Sequence, residues 1–456
     1  MIICYCDRQY FHRADTLRDY INLLKERGEL RVVSREIDPG SELAAVIWHS
    51  QQESDAPILF ERVKGSSLSV ISNVYGSHRR LCDLVGTVPG DFCRRWQELV
   101  DRPVADADIY RPAAAGAFPY QRGKLRDLPQ IQYCEKDAGP YLTAGVFLAR
   151  EPDTGVPNLS FSRSMMVSDQ ELRVRLAPLH DLTKYQAKAE SRNQALNVAI
   201  LLGPPPEVFL AACASVPYEA DEMAVAAAIR GEPMPMRSCE EIDLQVPAET
   251  EVVIEGRIIP NERRPEGPFG EFLGYYVKQG LNHVFEILNV TWRRDAMFHA
   301  LVCGYPEDLR ALEIAFASRV YRKLTSSLPG ILDVSCNPSP MHTIVRIAQQ
   351  FEGHAKQVLL AAFASHLQYN KICIVVDEDV NIHDFNDVWW AVITRCRVDR
   401  DVMIIPEVPG FHRDPGGMFK GRLGIDATRP FGADAEYERK RVQGADRINI
   451  RDWLPR

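Results

Sequence analysis

Two glutamates flanking a short Gly/Pro-containing stretch could act together on a proton. Glu266 and Glu271 belong to the stretch RPEGPFGEF at 264–272. Side chains five residues apart point away from each other on a strand or a helix, so the carboxylates meet only if the intervening Gly-Pro-Phe-Gly turns. Two carboxylates held together repel each other, so one keeps a proton near neutral pH and can donate it. A solvated turn with two exposed acids is the alternative.

Arg163 belongs to a stretch with strand-like alternation. Residues 158–165 predict one strand, with Asn158, Ser160, Ser162 and Ser164 on one face and Leu159, Phe161, Arg163 and Met165 on the other. A guanidinium on the apolar face requires a carboxylate or phosphate, because an unpaired buried charge is unfavourable. The alternative is an arginine whose stem packs while its head reaches water.

Three residues are candidate metal ligands if the fold brings them together. Asn158, His180 and Glu222 offer two oxygens and an imidazole, which suit Mn²⁺ or Mg²⁺ with phosphate oxygens and water completing an octahedron. Their spacing alone shows no metal site, and a purely structural histidine is the alternative. The acidic run 377–379 follows a predicted strand, where it could bind a ligand or cap a helix.

The elements that must position these residues change in type along the chain. Residues 14–28 predict a helix followed by a strand, so an N-terminal α/β domain is expected over 1–117. A mostly β domain is expected over 118–305, and helical stretches around a strand at 371–376 predict a C-terminal α/β domain with an oligomerisation tail over 306–456. The predicted elements of these two domains are strands at 145–149, 159–167, 197–202, 251–259 and 283–292 and helices at 221–230, 309–324, 343–366 and 385–396.

Length and composition restrict the class of protein. The 456 residues are 46% hydrophobic and 25% charged, which is typical of a folded globular chain of about three domains at ~150 residues each. The net charge of −8 and the scattered basic residues argue against nucleic acid and against a membrane surface. No apolar run approaches the ~20 residues of a membrane span, and no secretory leader is recognisable. Eleven cysteines without a C-x-x-C pair predict reduced thiols in the cytoplasm.

Four segments in order resemble the UbiD family of decarboxylases that use prenylated FMN. They are DAGPYLTAG at 137–145, Asn158-x-Ser160-x-x-Arg163, Glu266-Gly-Pro-Phe-Gly-Glu271 and VDEDVN at 376–381. The resemblance runs from about residue 16 to about residue 430. It implies a central split β-barrel domain that binds the flavin, which lies between this domain and the C-terminal α/β domain.

The resemblance also implies roles for individual residues. Arg163, Glu266 and Glu271 match the family's catalytic network, and Asn158, His180 and Glu222 match the ligands of the Mn²⁺ or Mg²⁺ that holds the cofactor phosphate, with K⁺ beside it. Phe161, Ser162 and Arg163 are expected to contact the flavin, whereas His342, Phe411 and His412 are candidates for the substrate pocket. Two positions depart from the family pattern, Leu179 and Arg422, which replace a polar residue and a lysine.

The expected activity is reversible, non-oxidative decarboxylation of an aromatic, heteroaromatic or α,β-unsaturated carboxylic acid. Glu271 is predicted to donate the proton, Arg163 to bind the carboxylate and Glu266 to hold Arg163. The expected partners are a flavin prenyltransferase that supplies the cofactor and further copies of the chain in a homodimer or larger oligomer. Two other hypotheses are a catalytically idle flavin-binding or assembly protein and a hydrolase with two carboxylates.

Overall fold

The computed structural model of the protein describes most of the chain. The described residues are 15–102, 104–105, 108–114, 116, 118–178, 180–337, 339–366, 368–414, 420–433, 435–445, 447–448 and 453. Leu179 lies outside them. No helix among the described residues is long and apolar enough to cross a membrane.

The N-terminal part combines short strands with four helices. Its elements are α1 (Leu17–Glu26), β1 (Arg31–Val33), α2 (Leu43–Glu53), β2 (Ile58–Phe60), β3 (Ser69–Ser72), α3 (His78–Val85) and α4 (Phe92–Val100). Helix α1 begins because Thr16 accepts a hydrogen bond from the Asp19 amide, and its buried face repeats at helical spacing through Tyr20 and Leu24. The predicted helix and following strand are therefore confirmed.

The central part is dominated by strands. Its elements are β4 (Tyr110–Pro112), β5 (Tyr120–Gly123), a short 3₁₀ helix (Leu125–Asp127), β6 (Tyr141–Leu142), β7 (Val146–Arg150), β8 (Pro157–Phe161), β9 (Ser164–Ser168), β10 (Glu171–Val174), α5 (Asp181–Ser191), β11 (Leu196–Leu202), α6 (Pro206–Ala211), α7 (Glu222–Arg230), β12 (Met234–Ser238), β13 (Gln245–Pro247), β14 (Val252–Glu266), β15 (Phe269–Gly270), β16 (Tyr276–Val277), β17 (Gly280–Arg293) and β18 (Met297–His299). Strand β18 leaves this part and pairs in parallel with β3, extending the N-terminal sheet.

Nine central strands form one antiparallel sheet. Their order is β6-β9-β10-β17-β14-β11-β7-β8, with β5 on β17. Apolar clusters cover both faces of this sheet. Among the described residues, β6 and β8 do not pair, so the strand pairs do not close the sheet into the expected split barrel.

The C-terminal part is a second α/β unit. Its elements are α8 (Pro306–Thr325), β19 (Ile331–Ser335), β20 (His342–Ile347), α9 (His354–Phe363), β21 (Ile372–Asp377), α10 (Phe385–Arg395), β22 (Val402–Ile405) and β23 (Arg422–Ala427). The sheet order is β19-β20-β21-β23-β22, and β20, β21 and β23 are parallel. Separate apolar clusters fill its two faces.

Two sequence predictions of local structure are wrong. The single strand at 159–167 is two strands, β8 and β9, which are separated at Ser162 and Arg163. The helix at 343–366 is strand β20 followed by the shorter helix α9. The first half of that stretch is β-branched and apolar (TIVRI), and its burial in the sheet outweighs the helical spacing.

Candidate active site

Glu266 is the most thoroughly bound carboxylate of the site. It ends β14, and its side chain is 1% exposed. Its Oε1 accepts hydrogen bonds from Arg163 Nε at 3.0 Å and from the Tyr141 hydroxyl at 2.9 Å. Its Oε2 accepts from Arg163 Nη2 at 3.0 Å and from Asn282 Nδ2 at 2.7 Å. Four donors on two oxygens hold this glutamate as a fixed anion.

Arg163 bridges the two glutamates predicted to act together. While Nε and Nη2 bind Glu266, its Nη1 lies 2.5 Å from Glu271 Oε1. The guanidinium also lies over the Phe269 ring, 4.7 Å from its centre. Burial lowers the pKa of Arg163, but the hydrogen bonds and charge of Glu266 and Glu271 outweigh it, so its pKa is raised. The alternative of an arginine that reaches water is thereby excluded.

The predicted turn brings Glu271 back toward Glu266. Gly267 adopts a φ of +90°, which favours glycine, and β15 pairs with β16 directly afterwards. At Gly270 a Cβ atom would lie 2.6 Å from Cys134 Sγ, so a side chain does not fit. The Gly270 amide donates to Asp137 Oδ1 at 2.8 Å, and this hydrogen bond connects the turn to the segment before β6.

The C-terminal part contributes a residue that the sequence did not single out. Arg413, between β22 and β23, donates from Nη1 to the Oε1 of Glu271. Two guanidinium groups therefore share one carboxylate oxygen. The neighbouring Phe411 is buried, with its ring 5.4 Å from that of Phe272, the residue after Glu271.

Two further acids near Glu271 are bound by backbone groups. Asp137 accepts from the amides of Gly270 and Cys134, and Asp308 accepts from the Gly304 amide at 2.6 Å. Burial raises the pKa of Asp308 to about 6, with a smaller contribution from the charge of Glu271. Burial thus makes Asp308 a weaker acid than a solvent-exposed aspartic acid.

Two of the three predicted metal ligands lie together. Glu222 begins α7 and is buried; it accepts from Asn158 Nδ2 at 2.8 Å and from the Leu159 amide at 3.1 Å. It makes no salt bridge within the described part of the chain. Burial raises the pKa of Glu222 to about 8. A buried carboxylate with only neutral donors is suited to a cation.

His180 makes no hydrogen bond to either member of that pair. It is the N-cap residue of α5, its side chain is exposed, and the ring makes no hydrogen bond to a described residue. Among the described residues, no group of three His, Cys, Asp or Glu side chains is close enough to bind a metal ion. The structure shows Asn158 and Glu222 as neighbours, and the place of His180 in the ligand set stays a prediction.

The residues predicted to contact the flavin or the substrate differ in their burial and in their distance from Arg163. Phe161 packs edge-on against Phe209, with ring centres 4.9 Å apart, and Ser162 is buried next to Arg163. His412 is exposed beside Arg413. His342 hydrogen-bonds the Ser339 carbonyl at 3.1 Å, and among the described residues its hydrogen bonds and ring contacts do not include Arg163, Glu266 or Glu271.

Several residues of the site were missed. Tyr141 and Asn282 bind Glu266, and Arg413 binds Glu271. Tyr141 lies within the segment 137–145 that carries the family resemblance, but the sequence did not indicate that it binds Glu266. Asn282 and Arg413 lie in segments with no distinctive motif, and only the fold brings them to the site.

The arrangement combines an anion receptor with an acid-base group. Arg163 Nε and Nη2 are both bound to Glu266, whereas Glu271 is 13% exposed and its Oε2 accepts no hydrogen bond from a described residue. A reacting group beside Arg163 would therefore meet Glu271. Such a pair can bind a carboxylate and exchange a proton next to it.

Family models match three successive parts of the chain. They describe the N-terminal domain, the Rift-related domain and the C-terminal domain of 3-octaprenyl-4-hydroxybenzoate carboxy-lyase, and they match residues 21–100, 115–306 and 310–427. An anhydromevalonate phosphate decarboxylase of Methanothermobacter thermautotrophicus is 31% identical over 93% of this chain and 99% of its own.

Solved structures extend the likeness to the whole fold. HmfF of Pelotomaculum thermopropionicum, a UbiD-class enzyme in complex with FMN, superimposes with a TM-score of 0.87 at 32% identity, covering 96% of this chain and 100% of its own. An evolved dimeric form in complex with prFMN gives 0.84 at 31% identity, covering 96% and 100%. The vanillic acid decarboxylase of Sedimentibacter hydroxybenzoicus gives 0.83 at 26% identity, covering 95% and 97%.

Proposed function

Because the chain belongs to the UbiD family of prenylated-FMN-dependent decarboxylases, we propose that it removes CO₂ reversibly and without oxidation from a small unsaturated acid. The observation that carries the proposal is the buried cluster in which Arg163 bridges Glu266 and Glu271. The carboxy-lyase class follows from the family. The residue roles below are our proposal.

Arg163 binds the substrate carboxylate, and Glu266 orients Arg163. Because Glu266 occupies Nε and Nη2, the guanidinium cannot rotate, and its remaining N–H groups face Glu271. This fixed direction is what a carboxylate needs to approach in one orientation. Phe269 covers one face of the guanidinium and excludes water from it.

Glu271 delivers the proton that replaces CO₂. In the present arrangement it accepts hydrogen bonds from Arg163 and Arg413, so a proton must reach it before it can be donated. Its partial exposure provides that access. After CO₂ leaves, transfer from a Glu271 Oε atom to the substrate carbon completes the C–H bond.

Asn158 and Glu222 fit the phosphate end of the expected cofactor, where a metal ion would bind. Asn158 and Glu222 provide adjacent amide and carboxylate groups. Glu222 is buried and has no described lysine or arginine as a partner, so this place suits Mn²⁺ or Mg²⁺, with K⁺ nearby. His180, at the start of α5, supplies the third ligand. Prenylated FMN, bound through this ion by its phosphate and flanked by Phe161 and Ser162, would accept the electron pair released with CO₂.

The substrate is a small carboxylic acid. The similar proteins include one named for anhydromevalonate phosphate and one named for vanillic acid, so both aliphatic and aromatic acids remain within the proposed class. Of the residues proposed for the substrate pocket, Phe411 is the one in contact with the Glu271 segment. We place His412 at the rim of the substrate pocket and His342 in its lining.

Assembly and location complete the proposal. Helix α10 exposes Phe385, Trp389 and Ile393 at 47%, 47% and 69%, one face of the helix, which supports a homodimer or larger oligomer. Free thiols at all nine described cysteines support a reducing, cytoplasmic compartment. The domain limits 1–117, 118–305 and 306–456, a central split β-barrel and supply of the cofactor by a flavin prenyltransferase remain part of this proposal.

The test is production together with a flavin prenyltransferase, followed by a screen of aromatic, heteroaromatic and α,β-unsaturated acids for CO₂ release. We expect release from at least one acid by the enzyme carrying prenylated FMN and none by the enzyme carrying FMN. CO₂ release that is independent of the prenyl group would refute the proposed dependence on prenylated FMN. Full flavin loading without CO₂ release from any acid would favour an idle flavin-binding protein.

A further inference from the structure

A small cavity lies between the nine-stranded central sheet and the three-stranded sheet formed by β4, β12 and β13. Its volume is about 180 Å³. Its floor is apolar and consists of Leu148 of β7, Met223 of α7, Met236 of β12 and Leu244, each of which is at most 6% exposed. An apolar cavity of ~150 Å³ is large enough for a molecule the size of benzene. This cavity therefore has room for the body of a small organic ligand.

The cavity is separate from the proposed flavin site. Leu148 pairs with Leu159, and the next pair along the two strands is Ala149 with Asn158. Successive residues of a strand project from opposite faces of a sheet, so Leu148 and the predicted metal ligand Asn158 face opposite ways. None of the described residues that line the cavity is among those proposed to contact the flavin, the metal ion or the substrate.

A positive charge lies at the rim of the cavity. Arg150 is the last residue of β7 and projects from the same face of the sheet as Leu148. It is exposed, and its side chain makes no hydrogen bond or salt bridge to a described residue. Burial and the charge of Asp221 raise the pKa of Tyr110, another lining residue, whereas the charge of Arg150 lowers it. The guanidinium thus acts on the cavity and is available to an anion.

Two walls of the cavity are held by one acid. Asp221 caps α7 by accepting a hydrogen bond from the Met223 amide at 2.8 Å, and the Tyr110 hydroxyl donates to the same carboxylate. Tyr110 belongs to β4, which pairs in parallel with β12 beginning at Met234. The cavity is therefore formed before any ligand arrives, and binding requires little ordering of the chain.

We propose that this cavity is a binding site for a small monocarboxylic acid, whose apolar body fills the floor while its carboxylate pairs with Arg150. The floor side chains carry no hydrogen-bond donor, so a second polar or charged group on the ligand would be buried without a partner. A neutral or cationic molecule of the same shape lacks the attraction to Arg150. The inference does not depend on the proposed decarboxylase function, because the cavity shares no residue with the Arg163 cluster.

The position of the ligand can be tested in crystals of the flavin-loaded enzyme soaked with 4-bromobenzoate. The anomalous scattering of bromine marks where the acid binds. We expect a bromine peak between Leu148, Met223 and Met236, in addition to any peak beside Arg163.

The strength of binding can be tested in solution by titrating the same enzyme with benzoate, benzamide and benzylammonium in a calorimeter. The three probes share a ring and differ in charge. At the cavity we expect benzoate to bind about 3- to 10-fold more tightly than benzamide, since an exposed guanidinium–carboxylate pair contributes a modest attraction, and benzylammonium to bind most weakly. Acids that also bind beside Arg163 should appear as a second class of site.

Variants assign the cavity site to its residues. Arg150→Gln should reduce the affinity for benzoate to within about 2-fold of that for benzamide, and Arg150→Lys should restore part of the difference. Leu148→Phe fills the floor and should weaken binding of benzoate and benzamide alike. Arg257→Gln is the matched control, because Arg257 lies on the same sheet and is exposed, but is paired with Glu286. It should leave all three affinities unchanged.

The absence of a bromine peak from the cavity would overturn the inference. So would equal affinities for benzoate and benzamide, or unchanged benzoate binding in Arg150→Gln. A bromine peak without a corresponding class of site in solution would indicate binding at crystal concentration only and would also overturn it. None of these measurements uses turnover, so a failure of the proposed decarboxylase activity would leave their outcome unaffected.

Discussion

Glu271 accepts a hydrogen bond from Arg413, a residue 142 positions further along the chain, at the same Oε1 atom that Arg163 contacts. Arg163 belongs to the central part of the fold and Arg413 to the loop between two strands of the C-terminal part. The group proposed to transfer the proton is therefore held from two parts of the protein at once. Any relative movement of these parts changes its surroundings.

Glu271→Gln tests the proton donor. Glutamine preserves the size of the side chain and can still accept from Arg163, but it carries no transferable proton. We expect decarboxylation to fall by at least ~10²-fold while flavin binding stays near normal. Incorporation of solvent deuterium at the product carbon should fall in parallel. Wild-type turnover and exchange in this variant would make Glu271 a structural carboxylate and direct attention to Glu266 or His342.

Glu266 should matter for stability as well as for activity. Removing one partner of a buried ion pair leaves the other charge uncompensated, so Glu266→Ala should lower the free energy of unfolding by roughly 3–5 kcal/mol and abolish turnover. Tyr141→Phe removes one of four donors to the same carboxylate and should lower it by about 1 kcal/mol. Chemical denaturation of both variants checks the order. Equal losses would show that the four donors do not act on Glu266 as described.

Glu222→Gln tests the metal site. The variant keeps the size of the side chain but removes the carboxyl group that loses its proton when a cation binds beside Asn158, so bound Mn²⁺ and bound flavin should both fall. Added Mn²⁺ should raise the thermal midpoint of the chelator-treated wild type and not that of the variant. At an Mn²⁺ concentration of 100 times its dissociation constant, the free energy of unfolding of the wild type should rise by about 2.7 kcal/mol.

The control for that experiment is Glu207→Gln. Glu207 is also a buried glutamate, but Arg230 neutralises it at 2.7 Å. Its replacement should destabilise the protein and leave the response to Mn²⁺ intact. A full Mn²⁺ response in Glu222→Gln would remove Glu222 from the ligand set.

A contact between the N-terminal and C-terminal parts should make the protein sensitive to acid. The ring of His78, at the start of α3, stacks on that of His383, with centres 3.6 Å apart. Around them lie Glu313, Arg310 and Asp333, and Asp333 Oδ2 is 3.3 Å from His383 Nε2. Burial, with a contribution from His383, lowers the pKa of His78 to about 3. The positive end of the helix also disfavours a charged imidazole there.

The sign of the effect follows from the two states. The unfolded chain takes up the His78 proton near pH 6.5 and the folded chain does not, so stability is full above that pH and falls as the pH drops. Between pH 7.5 and pH 5 the loss from this group is at most ~2 kcal/mol. His78→Phe should lower the pH dependence of the thermal midpoint over that range, whereas His49→Phe, at an exposed histidine, should not. Identical pH profiles for wild type and His78→Phe would refute this.

The sequence predicted best where a local pattern is reinforced by packing. The helix at 221–230 and the strand at 197–202 agree with α7 and β11 to within one residue. The alternation through Arg163 predicted a continuous strand, but the strand is interrupted at Ser162 and Arg163, where the Arg163 guanidinium binds two glutamates about 100 residues away in the sequence. Alternation describes faces of a strand and carries no information on such distant partners.

The sequence predicted the central residues of the site but not all of the residues that bind them. The pairing of Arg163 with Glu266 and Glu271 was expected, whereas Arg413 belongs to a Pro/Gly-containing loop, a composition that indicates only a connection. The role of His180 as a metal ligand was predicted from a family resemblance alone, and its spacing from Asn158 and Glu222 in the sequence does not indicate it.

The pairing of β14 with β17 has a consequence for insertions and deletions. Between the pairs Ile258 with Phe285 and Arg263 with His283, β14 contains three more residues than its partner. The segment that ends at Glu266 therefore has its own register, independent of the half of the strand in the core. A residue added or lost within 259–262 changes only the bulge, whereas one lost between Arg263 and Glu266 turns the carboxylate to the opposite face of the sheet. Homologous chains should vary in length at the first place and keep a constant length at the second.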